Sequence, residues 1–149
     1  MSESTAQSNI CKAMKGIWDE HKHNDVVPGV PDLSFSLPGL DGWIEIKWAP
    51  LPVRPGSKVR VTKGGNSKSW AAQKIWMRKR ASRGGACFVL LQVGRQHLLF
   101  WHDVAAALLD VVDMDGLEVG ASYIWDGVPP GRQFEAALIS LATQRRFHA

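Results

Sequence analysis

Cysteine is scarce in this chain: Cys11 and Cys87 are the only two, and they form no Cys-x-x-Cys. That excludes a disulfide framework and predicts buried thiols in a reducing cytoplasm. No apolar run approaches the roughly 18 residues of a membrane-spanning helix. The opening Met-Ser-Glu-Ser-Thr-Ala-Gln lacks the apolar core of a secretory signal, so a cytoplasmic location is expected. Repeats and low-complexity segments are missing too. A further absence is local. Between Glu45 and Asp103 there is no Asp or Glu, while twelve Lys or Arg occur from Lys47 to Arg95. The formal net charge of +4 therefore conceals a strongly basic middle, followed by an acidic stretch from Asp103 to Asp126.

At 149 residues, 45% hydrophobic and 21% charged, the composition is that of one globular domain with a sizeable core. Its organising stretch runs from Gly29 to Trp48. Leu33, Phe35 and Leu37 alternate with Asp32, Ser34 and Ser36, the period of a half-buried strand. Pro38-Gly39-Leu40-Asp41-Gly42 is turn chemistry, because Pro fixes φ and Gly reaches positive φ. From Trp43 to Trp48 the alternation resumes, with Ile44, Ile46 and Trp48 on one face and Glu45 and Lys47 on the other. A β-hairpin is predicted, with the aliphatic side chains in one core and Asp32, Glu45 and Lys47 gathered opposite.

Two carboxylates about 4 Å apart repel by roughly 4 kcal/mol at an effective dielectric near 20. A shifted pKa, the Lys47 ammonium or a divalent cation must offset that. Carboxylate oxygens suit Mg2+, which is commonly held by one or two of them plus water and phosphate. Glu45 and Lys47 stand two apart on a strand and project side by side, so they can present a metal ligand and an amine to one water molecule.

Pro31-Asp32, followed by Glu45-Ile46-Lys47 on the next strand, resembles the Pro-Asp…(Asp/Glu)-x-Lys, or PD-(D/E)XK, nuclease superfamily. Gly-Val-Pro-Asp and Trp-Ile-Glu-x-Lys are most similar to its small VRR-NUC and phage Holliday-junction-resolvase-like branch. The resemblance spans roughly residues 20 to 100. It implies a restriction-endonuclease-like α/β core, a mixed β-sheet flanked by helices in the order helix–strand–strand–helix–strand–strand. It also implies that Asp32 and Glu45, with the backbone carbonyl of Ile46, hold Mg2+ (Mn2+ as a substitute), and that Lys47 orients or activates the attacking water. Gln73 in Ala-Ala-Gln-Lys-Ile-Trp matches a fourth site residue of the family, and Gly84-Gly85 before the next apolar strand fits as well. Many members add an acid from the first helix. Glu3, Glu20 and Asp25 are the candidates, and spacing does not choose among them.

Around this centre, residues 1–4 are expected to fray and a helix to run from Thr5 to about His21, with Ile10, Met14, Ile17 and Trp18 on one stripe. His21-Lys22-His23-Asn24-Asp25 then reads as a polar helix end complementing the macrodipole. Zinc is the less favoured alternative, since nothing completes a tetrahedral set. Ala49 to Ser69 is rich in Pro, Gly and Lys, a loop long enough to be functional, with a possible short strand from Lys58 to Val61. Arg54, Lys58, Arg60, Lys63 and Lys68, with Lys74 and Arg78 on the following helix, form the predicted nucleic-acid-binding set, because such cations neutralise phosphates without reading sequence. That helix is capped by Ser67 or Ser69 and ends near Arg83 at Gly84-Gly85. Strands at Ala86 to Val93 and Gln96 to Trp101 follow, then a helix from Val104 to Val112 capped by Asp103. Residues 114–130 read as loop with a possible strand at Ser122 to Trp125, and Gly131 to Arg146 reads as a last helix. The expected single nuclease domain, 1–149, thus has a core of about residues 5–101 and a C-terminal helical extension of about 102–149. Trp48 and Trp70, beside basic residues, are candidates to stack on bases.

The sequence reading is a Mg2+-dependent endonuclease acting on DNA, with branched DNA favoured. A homodimer is expected because two symmetric cuts need two sites. No membrane partner is expected, and a phage-borne gene would place the protein in the host cytoplasm. Three alternatives stand beside it: a restriction- or repair-type nuclease on linear or nicked duplex, a non-catalytic DNA- or protein-binding member of the fold, and a transition-metal protein built on His21, His23, His97 and His102.

Overall fold

The computed structural model describes residues 2–23, 29–61 and 67–147, with the side chains of residues 67, 68, 146 and 147 outside the description. In chain order the elements are α1 (Glu3–Ala13), β1 (Asp19–Lys22), β2 (Leu33–Leu37), β3 (Leu40–Ala49), α2 (Ser67–Ser82), β4 (Ala86–Val93) and β5 (Gln96–Trp101). These are followed by α3 (His102–Leu108), α4 (Met114–Gly120), β6 (Tyr123–Asp126) and α5 (Gly131–Phe147). The strands form one sheet in sequence order, antiparallel throughout except where β3 and β4 run parallel. A parallel neighbour cannot be reached by a tight turn, and α2 supplies the crossover. The expected α/β class, a mixed sheet flanked by helices, is the observed one.

Helices cover both faces. On one, Ile10 and Met14 from α1 and the turn after it, with Phe134 and Leu138 of α5, pack on Leu33, Ile44, Ile46, Phe88 and Leu90. On the other, Trp70 and Met77 of α2, Ala105 of α3 and Leu117 of α4 pack on Val89, Leu91, Leu98 and Phe100. β4 is therefore buried along its whole length, which is why its sequence is a continuous apolar run rather than an alternation. Residues after 101 enter this same sheet and core, since β6 pairs with β5 and α5 lies beside α1. Among the described residues no helix is long and apolar enough to cross a membrane.

Several local expectations are corrected. The first helix starts earlier and stops sooner. Ser2 caps it, its Oγ accepting the Thr5 N–H at 3.2 Å, and Gly16 turns the chain away with φ +78°. Asp19 to Lys22 is then a strand, not a helix end, because the outer edge of β2 offers unpaired backbone groups that β1 satisfies. The hairpin turn is only Pro38-Gly39, so Leu40 to Gly42 already belong to β3. Gly42 has no room for a side chain: a Cβ would lie 2.7 Å from the Phe35 ring. Residues 58–61 form no strand. They are pinned instead by Val59 N–H to the Val112 carbonyl (3.1 Å) and Val61 N–H to Asp110 Oδ1 (2.8 Å). Asp103 lies inside the first turn of α3 and does not cap it, and the helix ends at Leu108. Within 114–130, the short α4 is capped by Asp113, whose carboxylate accepts the Gly116 N–H at 2.9 Å, and is anchored by buried Leu117.

Candidate active site

The site lies where two paired strands part. The β2–β3 ladder ends at Leu33 opposite Ile44, while β3 continues along β4 as far as Ala49. Beyond Ile44 the β2-side edge of β3 is left to other partners, and Asp32, the residue just before β2, supplies one. Its Oδ2 accepts the Ile46 N–H at 3.3 Å. The N–H and C=O of a strand residue point to the same edge, so the Ile46 carbonyl is directed into the same gap. The Pro-Asp step thus brings a carboxylate and a backbone carbonyl together.

Glu45 and Lys47 occupy the face of β3 that α2 covers, and they are only 1% and 3% exposed. Lys47 Nζ stands 3.8 Å from Glu45 Oε1, while Glu45 Oε2 is buried without a hydrogen-bond partner. Burial pushes the Glu45 carboxyl well above its ordinary range, the negative charge of Asp32 adds to the push, and Lys47 opposes it. Glu3, from the first turn of α1, joins this cluster. Its pKa is raised by burial, held back by Lys47 and raised again by Asp32. Of the two upstream acids among the described residues, Glu3 is the one placed at the site. Glu20 on β1 accepts the Trp18 Nε1–H at 3.0 Å, and Asp25 lies outside the described residues.

Trp70 on α2 sets the other side of Lys47. The ammonium lies 5.0 Å from the indole centroid, and that of Lys74 lies 5.7 Å from the same ring. Trp70 is buried at 4% exposure, so its ring packs against ammonium groups and is not free to stack on a base. Trp48 is half-buried on the opposite face. Gln73 is one helical turn after Trp70 and shares its side of α2. Its Oε1 is buried and unpartnered, and no hydrogen bond among the described residues ties it to the acids. Arg54, Lys58 and Arg60 are exposed on the loop after β3. Lys74 and Arg78 line a cleft of about 420 Å³ between α2 and α3. Lys63 and the side chain of Lys68 lie outside the described residues.

The histidines do not converge. His23 Nε2 is 2.9 Å from Ser34 Oγ at the edge of the sheet, whereas His97 is on β5 and His102 opens α3. β1 and β5 are four strands apart, roughly 19 Å at 4.8 Å per strand, so the four-histidine metal site is ruled out. Among the described residues no three His, Cys, Asp or Glu side chains form a group able to hold a metal. What the gap offers instead is two carboxylates and a carbonyl, an all-oxygen set that suits a hard cation with water completing its shell.

Sequence reasoning found Asp32, Glu45 and Lys47 but not the placement of Glu3 or the ring beneath Lys47. Ser2 ahead of Glu3 is an N-cap signal that could have started the helix at the right residue. Two clefts lie away from the carboxylates, the one between α2 and α3 and another of about 510 Å³ that opens beside the start of β3. No family model and no curated protein sequence matches the chain. Among solved structures, Hjc from Archaeoglobus fulgidus, a Holliday junction resolvase from an archaeal hyperthermophile, is similar over 91% of this chain and 97% of its own. The TM-score is 0.47 at 12% identity, a likeness too loose to bear on the chemistry, which rests on the residues above.

Proposed function

We propose that this chain is a divalent-metal-dependent endonuclease hydrolysing DNA phosphodiester bonds, with branched DNA as the favoured substrate and a homodimer as the working form. The observation that carries the reading is the buried Glu45, with one unpartnered oxygen, set beside Asp32 and Lys47 at the parting of two strands. Asp32, Glu45 and the Ile46 carbonyl are the groups that would hold Mg2+, or Mn2+ in its place. The bound ion would supply Lewis-acid stabilisation of the charge that develops on the phosphate.

The chain's own residues do the rest. Lys47 is kept in place between Glu45 and the Trp70 ring, so its ammonium is fixed rather than swinging on a flexible stem. It positions a water for in-line attack on the phosphorus. Glu3 and the free oxygen of Gln73 are hydrogen-bond acceptors for that water or its neighbours. Arg54, Lys58, Arg60, Lys63, Lys68, Lys74 and Arg78 neutralise flanking phosphates. Branched DNA and the dimer follow from the resemblance of Gly-Val-Pro-Asp and Trp-Ile-Glu-x-Lys to resolvase-like nucleases, because paired cuts need paired sites.

The test is cleavage of a labelled four-way junction and its matching linear duplex, with Mg2+ and with EDTA, by wild type and Glu45→Ala. Junction cutting that needs Mg2+ and disappears in the variant is the expected result. Equal cutting of both substrates would keep the site and discard the branched-DNA preference. Binding without any cleavage by the wild type would overturn the enzyme.

A further inference from the structure

We propose that the cleft beside the start of β3 is a second phosphate-binding site, holding the backbone of the same DNA strand whose scissile phosphate enters at Glu45 and Lys47. The inference rests on the nuclease reading for its ligand and on separate residues for its geometry. The cleft, about 510 Å³, is walled by Leu37, Leu40, Asp41 and Trp43 from the β2–β3 hairpin, by Arg80 near the end of α2 and by Arg83 just past it.

Arg80 is held there before any ligand arrives. Its guanidinium lies 4.6 Å from the Trp43 ring centroid and 4.9 Å from that of Trp76, and the two indoles meet edge to face at 5.7 Å. Its stem passes over Gly85, where a Cβ would come within 2.6 Å of Arg80 Cγ. Stacking fixes the plane of a guanidinium but uses none of its N–H groups. Among the described residues no hydrogen bond or ion pair engages the guanidinium of Arg80 or of Arg83. A fixed planar fork with unused donors suits a phosphate, and its preorganisation lowers the entropy lost on binding.

Position connects the cleft to the candidate active site. Trp43, Glu45 and Lys47 share one face of β3, so the cleft edge at Trp43 is about 7 Å from Glu45 and about 14 Å from Lys47 at a rise of 3.4 Å per residue. That is two to four nucleotides of a strand at 3.4 Å each. The α2 segment over this stretch carries no acid; Lys79 and Arg80 lie toward its end, while Lys74 and Arg78 line the other cleft, toward α3. Asp41 also lines the cleft, accepting a hydrogen bond from Ser36 Oγ, and it offsets one of the two guanidinium charges. A free phosphate ion should therefore bind poorly, while a strand already tethered at the catalytic end profits from a high effective concentration.

The test measures binding apart from cleavage. Fluorescence anisotropy of a labelled junction and a labelled linear duplex is followed over a NaCl series in EDTA. The proteins are wild type, Arg83→Gln, Asp41→Asn and, as a control on α5, Arg132→Gln. The exposed Arg83 side chain has no hydrogen bond or ion pair to lose among the described residues, so its variant should fold. Arg83→Gln is expected to weaken binding and to lower the slope of log K against log salt by about 0.7 to 0.9, one phosphate contact. Asp41→Asn should tighten binding, and Arg132→Gln should leave it unchanged. Wild-type affinity and slope in both Arg83→Gln and Asp41→Asn would overturn the site. With Mg2+ present, cutting alongside unchanged Arg83→Gln binding removes this site alone. Arg83-dependent binding without cutting removes the nuclease reading and leaves the phosphate site standing. Absence of DNA binding overturns both.

Discussion

Glu45 should make the stability of this protein fall with rising pH, the reverse of a salt-bridged surface carboxylate, and Glu45→Gln should abolish the effect. Its folded pKa is raised well above the usual 4.5 by burial and by Asp32. A group raised in the folded state binds its proton there after the unfolded chain has lost it. The stabilisation is complete below the unfolded pKa and is lost as pH climbs from 4.5 through the folded value. Within that window a difference of one proton costs up to about 1.4 kcal/mol per pH unit. The unfolding entropy of 149 residues is about 0.3 kcal/mol/K, so the melting temperature should drop by up to about 4 °C per pH unit.

Glutamine keeps the shape and never ionises. In EDTA, the melting temperature of Glu45→Gln minus that of wild type should start near zero at pH 4.5 and grow with pH at that rate. Taking the difference between the two proteins cancels the histidines, which titrate in both. Mg2+ at ten times its dissociation constant should restore the wild type by about 1.4 kcal/mol, again some 4 to 5 °C, and should do little for the variant. Thermal melts followed by circular dichroism from pH 4.5 to 9 read both effects. A difference that stays flat with pH would show that Glu45 does not retain a proton, and equal Mg2+ stabilisation of both proteins would remove it from the metal site.

Lys47→Met removes an ammonium 3.8 Å from Glu45, an attraction of about 4 kcal/mol at an effective dielectric of 20; because Glu45 can respond by taking a proton, urea melts should show a loss of about 3 kcal/mol at pH 8 that shrinks toward pH 5. A loss independent of pH would refute the coupling. His97 and His102 are both held below their usual 6.5 by burial, so the stability they contribute should be full above about pH 6.5 and fall as pH drops through their folded values. His97 Nδ1 donates to the Arg95 carbonyl at 3.1 Å, leaving Nε2 buried without an acceptor for a second proton. His97→Gln should therefore flatten the acid limb of the stability curve, and NMR titration of the imidazoles would locate it. Gly42→Ala would set a Cβ 2.7 Å from Phe35 Cζ and 3.0 Å from the Ala86 carbonyl oxygen. An overpacking cost of about 1 to 3 kcal/mol corresponds to a melting temperature about 3 to 10 °C lower.

What could be read from the sequence was what depends on a local period. Strand alternation has a period of two, so Glu45 and Lys47 on one face and Ile44 and Ile46 on the other needed no knowledge of the rest of the fold. The same holds for β4, whose unbroken apolar run already said that both its faces were covered. β1 could not be found this way. Asp19-Glu20-His21-Lys22 has no apolar alternation, and it is a strand because the edge of β2 beside it needs a partner and Gly16 has already ended the helix. α4 is too short to show a helical stripe and depends on one cap and one buried leucine. Ser2 marks where α1 begins, but Glu3 reaches the site only because α1 packs across β3, which is a tertiary fact.

The acid-free run from residue 46 to 102 gains a physical meaning from the fold. It contains all of α2, β4 and β5, which cover and adjoin the face of β3 that carries Glu45 and Lys47. Every side chain on those three elements is neutral or cationic, so none adds to the repulsion among Glu3, Asp32 and Glu45. Lys74 and Arg80 do not neutralise it either: Lys74 is turned to the Trp70 ring and Arg80 to the two indoles at the far end of the helix. Among the described residues Lys47 is the cation in direct contact, and one ammonium against three ionised carboxylates leaves two negative charges. Protons can remove that excess, at the cost of a raised Glu45 pKa and a stability that falls with pH. A single divalent cation in the gap would remove the same excess with the carboxylates ionised, and the basic helix above it would at the same time attract phosphate. The charge asymmetry in the sequence is thus the outer part of the electrostatic arrangement whose centre is the Pro-Asp and Glu-x-Lys pair.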